Sequence, residues 1–428
     1  MLDIKFIREN TDVVKNALKA RNNKLDIDEV LRLDEERRKL LMEVETLKAQ
    51  RNKANDEIAS KIKAKSNPKD IIDQMKVVSQ KISDFDSKVG EVDEKLANLL
   101  YIIPNIPHIS VPVGSPEANK IVKTWGKNPE FAFKPKSHIE LADMLGIINF
   151  GVASKITGSN FILFMGMGAR LERALINFML DLHTKKHGYI EVYPPFLVNR
   201  RSMTGTGQLP KLEEDMYRLK DDDLFLIPTA EVPVTNIHAN EVLEEERLPI
   251  YYTAYTACFR REAGSYGKDT RGMVRVHQFD KVEMVKFVKP ETSFDELEKL
   301  LNDAEDVLQI LELPYRILLL ATGDISFAAA KCYDIELFAP GTGGYLEVSS
   351  CSCFTDFQAR RANIKFRRKT INDKRVTEYV HTLNGSGVAL ARLVVAIMEN
   401  YQNADGSIRI PKALVPYMDG LEVIKPAG

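Results

Sequence analysis

The sequence predicts an α+β protein in two parts, an N-terminal arm of two long antiparallel helices and a larger domain of β-hairpins with flanking helices. Two observations lead to this fold class. Residues 28–100 carry apolar side chains at heptad spacing, which is typical of a coiled coil. Residues 251–287 and 334–350 each show two strand-like runs around a glycine-rich turn. A chain of 428 residues can bury a sizeable core in two or three such domains.

The arm is predicted from helix-forming residues that almost exclude Gly, Pro and aromatic side chains between 28 and 65. The heptad seam consists of Val30, Leu33, Leu40, Val44, Leu47, Ala54 and Ile58, then Ile71, Met75, Val78, Ile82, Phe85, Val89, Val92, Leu96 and Leu99. A short polar break at 66–68, ending in Pro68, separates the two stretches and starts the second helix. Because the break is short, the two helices should pack antiparallel, and the prolines at 104 and 107 should end the arm near residue 108.

The end of this arm is rich in basic residues. The candidates for contacts with nucleic acid are Lys48, Arg51, Lys53, Lys61, Lys63 and Lys65. A charged coiled-coil face is usually only solvated, and composition alone favours that interpretation. A long arm with a basic end is also suited to binding an RNA backbone through phosphate contacts and shape.

The first signal within the domain expected at 109–428 is a helix–strand unit. Residues 169–184 form an amphipathic pattern, and a strand at 190–193 stops at two prolines. Alone, this would be an ordinary helix–strand unit.

A cationic hairpin at 256–283 is the most informative segment. Its basic residues are Arg260, Arg261, Lys268, Arg271 and Arg275, beside Glu262 and a hinge at 264–267. The flanking strands are predicted at 251–259 and 273–287. Arginine side chains bind phosphate and carboxylate in a two-pronged manner, and Phe279 on the return strand could stack on a base. This combination favours a nucleotide site over a solvated loop.

Two further segments carry oxygen and cationic side chains. In the hairpin at 334–350, Glu347 and Ser350 offer hard oxygen ligands suited to Mg²⁺, although ordinary strand polarity would also explain them. A glycine-rich turn at 384–387 is expected to open a helix at 388–401. Arg392 lies in this otherwise apolar helix and therefore needs an anionic partner.

Composition excludes several other classes of protein. The 60 basic and 61 acidic side chains nearly cancel, so any nucleic-acid surface must be local. Four cysteines suggest a reducing compartment, and Cys351 and Cys353 lack zinc-site spacing, so no zinc is expected. Neither a P-loop nor a dinucleotide fingerprint is complete. With no signal-like start and no apolar run of about 20 residues, we expect a cytoplasmic protein without a membrane span.

Residues 256–283 strongly resemble motif 2 of the class II aminoacyl-tRNA synthetases, in the form found in seryl-tRNA synthetases. Residues 169–195 resemble motif 1, residues 384–401 resemble motif 3, and the arm resembles the tRNA-binding arm of the bacterial-type enzymes. The resemblance implies a catalytic domain on an antiparallel sheet with flanking helices, and a homodimer through motif 1.

The resemblance also implies roles for individual residues. Those implied in serine binding are Thr229, Ala230, Glu231, Arg260, Glu283, Asn384 and Ser386. Those implied in ATP binding are Arg260, Arg261, Glu262, Arg275, Val276, Phe279, Glu347, Val348, Ser349, Ser350 and Arg392, with Mg²⁺ on Glu347 and Ser350. The triplet 229–231 would be only a weak signal without this context.

The implied activity is serine–tRNA ligation: activation of L-serine with ATP and transfer of the seryl group to tRNA(Ser), and to tRNA(Sec). Three alternatives stay open at this point. They are a related ligase that charges a carrier protein, a synthetase for another amino acid, and a non-catalytic RNA-binding or scaffold protein. The arm argues against the first, Thr229, Glu231 and Glu283 against the second, and the intact cationic set against the third.

Overall fold

The structure is a computed structural model that describes residues 1–263, 272–369 and 375–426. The predicted hinge at 264–267, Lys268 and Arg271 lie outside the described residues. The chain divides into two compact units, Met1–Pro104 and Asn105–Gly428. Among the helices of the described ranges, none is long and apolar enough to cross a membrane.

The first unit is entirely helical. Its helices are α1 (Ile4–Glu9), α2 (Thr11–Ala20), α3 (Ile27–Lys63) and α4 (Lys69–Ile102). The Asp26 carboxylate accepts the backbone N–H of Asp28 at 2.9 Å and so caps α3. At 1.5 Å per residue, α3 and α4 are each on the order of 50 Å long.

The two long helices run antiparallel and confirm the predicted arm. Arg37 of α3 contacts Asp93 of α4, while Lys48, further along α3, contacts the earlier Asp86 at 3.3 Å. Of the α4 heptad residues between 75 and 96, Met75, Val78, Ile82, Val92 and Leu96 are buried, and Phe85 and Val89 are partly buried. The seam ends on Leu100, which is buried, and Leu99 is only partly covered. A step of four residues after Leu96 therefore completes the apolar stripe.

The second unit combines sheets and helices. Its elements are β1 (Lys120–Trp125), α5 (His138–Leu145), α6 (Phe150–Thr157), α7 (Met167–Lys185), β2 (Ile190–Glu191), β3 (Leu197–Asn199), α8 (Arg200–Thr206), β4 (Leu224–Leu226), α9 (Glu231–Thr235), β5 (Val242–Glu244), β6 (Ile250–Phe259), β7 (Gln278–Val288), α10 (Ser293–Ile310), β8 (Tyr315–Leu319), β9 (Lys331–Ala339), β10 (Gly344–Thr355), α11 (Phe357–Ala362), β11 (Lys365–Lys369), β12 (Arg375–Tyr379), β13 (His381–Ala389), α12 (Leu390–Asn400), β14 (Ile408–Arg409) and β15 (Val423–Ile424).

An eight-stranded sheet in the order β1-β8-β9-β10-β13-β7-β6-β2 forms the centre of this unit. All neighbours are antiparallel except the short edge strand β2, which runs parallel to β6. Helices α7, α10 and α12 contribute Leu175, Leu300 and Leu393 to one core with the sheet, and all three are fully buried. Each such leucine contributes on the order of 1.5–3 kcal/mol relative to an exposed one. The predicted α+β class and antiparallel sheet are confirmed.

The return strand of the cationic hairpin is shorter than predicted, because β7 begins at Gln278 and not at Met273. Backbone groups before it bond outside the ladder. The N–H of Met273 donates to His138 Nε2 at 3.3 Å, and the N–H of His277 donates to the Asn160 carbonyl at 2.9 Å. These contacts hold residues 273–277 as an irregular segment beside the sheet.

The glycine-rich segment 384–387 does not open a helix as predicted. It lies within strand β13, between β10 and β7, and α12 starts only at Leu390. A Cβ on Gly385 would meet Cys351 Sγ at 2.9 Å, and one on Gly387 would meet His183 Nε2 at 2.5 Å. The glycines therefore allow neighbouring side chains to come close to a central strand. In the sequence alone, such a glycine-rich segment looks like a turn.

Candidate functional site

A cavity of about 550 Å³ opens where β6, β7, β10 and β13 meet the start of α12. It brings together all the predicted serine and ATP residues except two. Ala230 is fully buried in a separate apolar cluster, and the Arg261 side chain is exposed and does not line the cavity. Segments far apart in sequence thus meet in one site, as the motif assignments predicted.

One end of the cavity is built around Glu283, which is only 1 % exposed. Strand pairing places Ser386 of β13 opposite Glu283 of β7. Asn384 Nδ2 donates to Glu283 Oε1 at 3.0 Å, and Ser386 Oγ donates to Oε2 at 3.4 Å. Lys281 Nζ lies 2.6 Å from the same Oε2. The carboxylate is therefore held in a fixed orientation by three side chains.

A second carboxylate, Glu231, lies at the same end, in the first turn of α9. Gln358 Nε2 donates to Glu231 Oε1 at 2.6 Å. Burial raises the pKa of Glu231 to about 7, with the nearby Glu283 charge as the next cause. Thr229 Oγ1 accepts from Lys281 Nζ at 2.9 Å and from the Glu231 backbone N–H at 3.2 Å. Two acids and a hydroxyl at this end favour a ligand that carries a cation.

The other end of the cavity is cationic, and the guanidinium groups of Arg275 and Arg392 lie there. Arg275 Nη1 lies 3.3 Å from Glu262 Oε2. Arg392 donates to the carbonyls of Val274 at 3.0 Å and Glu347 at 2.7 Å. Burial lowers the pKa of the Arg392 guanidinium, and the positive charges of Arg260 and Arg275 lower it further. A polyanion bound here would relieve the repulsion among these cations.

Arg260 lies between the two ends of the cavity. Its charge lowers the pKa of Glu231 at the acidic end and that of Arg392 at the cationic end. Its guanidinium carbon lies 5.3 Å from the centre of the Phe279 ring, and its Nε donates to the Pro228 carbonyl at 3.3 Å. Phe279 therefore offers a flat apolar face beside the cationic end, as base stacking requires.

A β-bulge explains how Glu347 and Ser350 reach the cavity together. Three positions apart on a regular strand, they would point to opposite faces. The pairing of β10 with β9 shifts register between Glu347 and Ser349, and both side chains line the cavity. One carboxylate and one hydroxyl next to a polyanion site fit Mg²⁺, which binds through few protein oxygens plus phosphates.

Two site residues were missed in the sequence. Lys281 shares the face of β7 that carries Phe279 and Glu283, so alternation along the strand could have identified it. Gln358 bonds Glu231 from α11, and also donates to the Thr206 carbonyl at 3.1 Å. No short-range pattern marks Gln358, because its partner lies 127 positions away in the chain.

The comparisons first define the class of protein. Residues 214–401, which contain most of the cavity, match the family model of the class II tRNA synthetase core domain for glycine, histidine, proline, serine and threonine enzymes. Residues 1–107 match the model of the seryl-tRNA synthetase N-terminal domain. The fold is therefore that of a class II aminoacyl-tRNA synthetase.

Relatives identify the family. A serine–tRNA ligase of Trichlorobacter lovleyi is 60 % identical over 99 % of this chain and 100 % of its own length. One of Thermodesulfovibrio yellowstonii is 56 % identical over the same shares. The chain belongs to the seryl-tRNA synthetase family, which confirms the predicted enzyme class and disfavours the three alternatives.

Two solved structures are similar. Seryl-tRNA synthetase from Pyrococcus horikoshii, complexed with ATP, has a TM-score of 0.92 and 40 % identity, with 100 % of both chains covered. An M. kandleri seryl-tRNA synthetase in complex with A. aeolicus tRNA(Sec) has a TM-score of 0.59, covering 80 % of this chain and 69 % of that one. At 18 % identity, the second shows the fold alone.

Proposed function

We propose that this enzyme activates L-serine with ATP to form seryl-adenylate and pyrophosphate, and then transfers the seryl group to the terminal ribose of tRNA(Ser). The observation that carries the proposal is the polarity of one cavity. Its acidic end suits the ammonium and hydroxyl groups of serine, and Arg275 and Arg392 at its cationic end suit a triphosphate. Arg260 lies between them, where the serine carboxylate must meet the α-phosphorus.

The first step needs no protein nucleophile. A serine carboxylate oxygen attacks the α-phosphorus in line, and pyrophosphate leaves with the bonding electron pair. The protein supplies position and neutralises charge on the transferring group. Arg260 would bind the serine carboxylate and the α-phosphate, while Arg275 and Arg392 would hold the γ-phosphate. Phe279 would stack on adenine next to Glu262 and the backbone at Val276, with Val348 and Ser349 of β10 lining the nucleotide.

Mg²⁺ belongs to the same proposal, with Glu347 and Ser350 as its protein ligands. An ion held by these two residues would supply positive charge that offsets the negative charge developing on the transferring phosphate. The bulge in β10 supports this arrangement, because it brings both residues to the lining of the cavity.

Serine would be selected through its hydroxyl group. Glu283 would accept a hydrogen bond from the hydroxyl group, and Thr229 and Glu231 would bind the ammonium group. Alanine would leave one acceptor position of this buried carboxylate unfilled, and a polar site disfavours such a ligand strongly. Threonine must be excluded by space near Ser386, and size discriminates less strongly.

Glu283→Gln tests this assignment, because it keeps the shape of the side chain and removes the charged acceptor. We expect serine-dependent pyrophosphate exchange to fall by about 10²-fold or more, while ATP binding measured by calorimetry changes little. Glu262→Gln is the matched comparison, since it should weaken ATP binding and leave the serine KM nearly unchanged. Intact serine exchange in Glu283→Gln would mean that the hydroxyl is recognised elsewhere.

The arm would bind the tRNA, and transfer to tRNA(Sec) is part of the proposal. The match of residues 1–107 to the N-terminal domain of this family supports a tRNA-binding arm. The neighbouring structure that contains tRNA(Sec) motivates the second substrate. A charging assay with purified tRNA(Sec) tests it.

We also propose a cytoplasmic location. The four cysteines are free and buried, which fits the reducing compartment inferred from the sequence.

We also propose a homodimer through the motif 1 segment, residues 169–195. Large apolar side chains there are exposed in the single chain, with Ile190 at 59 % and Tyr193 at 75 %. A partner subunit would cover them. Analytical ultracentrifugation at micromolar concentration should show a dimer. A species with the mass of one chain would count against this part of the proposal.

A further inference from the structure

Lys281 is a buried lysine that has no role in the proposed mechanism. Its residue is 5 % exposed, and its Nζ lies 2.6 Å from Glu283 Oε2 and 2.9 Å from Thr229 Oγ1. It therefore connects the acceptor proposed for the serine hydroxyl to an acceptor proposed for the serine ammonium. A surface ion pair would carry little information, but this ammonium is removed from solvent, so its partners must compensate its charge.

The hydrogen-bond inventory of Glu283 shows what Lys281 does for the site. An ionised carboxylate offers about four lone-pair positions. Oε2 receives Lys281 and Ser386, and Oε1 receives Asn384. One position on Oε1 is left, which matches the single hydroxyl group of a serine side chain. Without Lys281, one acceptor position on Oε2 would be open in addition to the one on Oε1. A single substrate hydroxyl could then no longer fill both positions of the carboxylate.

We propose that Lys281 is a positioning residue for amino-acid selection, which fixes Glu283 and Thr229 so that the site has one acceptor position for a substrate hydroxyl. This inference rests on the proposed function, because it assumes that serine binds at the acidic end. In this proposal Lys281 contacts Glu283 and Thr229, the side chains that would recognise serine. The contact determines how many acceptor positions remain open for the substrate.

The charges around the site support this role. The charged groups around Glu231 are the Glu283 carboxylate, the Lys281 ammonium and the Arg260 guanidinium, with Gln358 as a neutral donor. The Cys258 thiol is also near Lys281, and burial raises its pKa, so it adds no charge at neutral pH. Serine brings one ammonium and one carboxylate. Without Lys281, two buried carboxylates would face one substrate ammonium, and one of them would tend to take up a proton.

Lys281→Met tests the proposal, since methionine keeps most of the volume and removes the charge. We expect kcat/KM for serine to fall by about 30-fold or more, because one partner of a buried charge pair is lost. ATP affinity should stay within about threefold of the parent, which also shows that the variant is folded. Discrimination between serine and alanine should fall as well.

The pH profile separates this role from packing. Lys281 lowers the pKa of Glu231 in the parent enzyme, so its loss should raise that pKa further. Glu231 binds the substrate ammonium only when ionised, that is, above its pKa. The rise of kcat/KM for serine with pH should therefore move to higher pH in Lys281→Met. An unchanged profile, or tighter serine binding because the lysine competes with the substrate ammonium, would overturn the proposal.

A double-mutant cycle with Glu283→Gln makes the test specific. On the Glu283→Gln background, Lys281→Met should cost clearly less than it costs in the parent enzyme, because one of the two side chains that Lys281 positions has already lost its charge. Equal losses on both backgrounds would mean that Lys281 acts only through packing. If Glu283→Gln itself has no effect on serine use, the proposed serine site fails. If Glu283→Gln is impaired and Lys281→Met is not, only the role of Lys281 fails.

Discussion

Replacing residues 28–100 with a short Gly/Ser linker should leave serine-dependent pyrophosphate exchange largely intact and lower aminoacylation of tRNA(Ser) by orders of magnitude. All residues that line the cavity lie between Thr206 and Arg392, within the second unit. Adenylation needs serine, ATP and Mg²⁺ at this cavity, whereas transfer also needs the tRNA to be held. The two reactions, assayed on the same preparation, should therefore separate.

A variant with altered charge tests whether the arm binds tRNA while the arm itself stays in place. Neutralising Lys61, Lys63 and Lys65 should weaken tRNA binding and reduce the slope of log K against log salt by up to about 2, at roughly 0.7–0.9 per lost phosphate contact. The matched control neutralises three exposed arm lysines nearer the other end, Lys39, Lys88 and Lys95. Equal effects of the two triple variants would mean that the basic end has no special role. Normal charging by the armless enzyme would make the arm a structural or partner-binding element.

Arg260→Ala should reduce the exchange reaction by about 10²–10³-fold, comparable to removing one oxyanion donor. The reason is its position, since its charge acts on Glu231 at one end of the cavity and on Arg392 at the other. The contact is made chiefly in the transition state, so kcat should fall more than the serine KM rises.

Two variants make the Arg260 result interpretable. Arg260→Lys keeps the charge but loses the planar fork, and should recover only part of the rate. Arg201→Ala removes an exposed arginine outside the cavity and should leave exchange unchanged. An Arg260→Ala enzyme within about twofold of the parent would refute the proposed role.

Periodic patterns in the sequence predict the arm and the main hairpins well. The seam of α4 repeats every three or four residues, so the burial of Met75, Val78, Ile82, Val92 and Leu96 follows from local spacing. The hairpin of β9 and β10 follows from strand runs around a glycine-rich turn. In both cases the signal and the structure lie within a short stretch of chain.

Long-range contacts account for what the sequence did not predict. Residues 273–277 leave the sheet because their backbone groups bond to His138, Asn160 and Arg392. Gly385 lies in a strand where a Cβ would come too close to Cys351 and Leu300, so its glycine is required by packing and not by a turn. Lys281 meets Thr229, and Gln358 meets Glu231, only when segments 52 and 127 positions apart in the chain fold together. None of these partners is near in sequence or marked by a period.

The most direct measurement is ATP–pyrophosphate exchange with the purified full-length chain, Mg²⁺ and each protein amino acid in turn. We expect serine to support exchange far better than any other amino acid, with alanine rejected for lack of a hydroxyl and threonine rejected by size. Adding tRNA should not be required for this exchange. Faster exchange with another amino acid, or none with serine while ATP binds normally, would contradict the proposed activation of serine in this cavity.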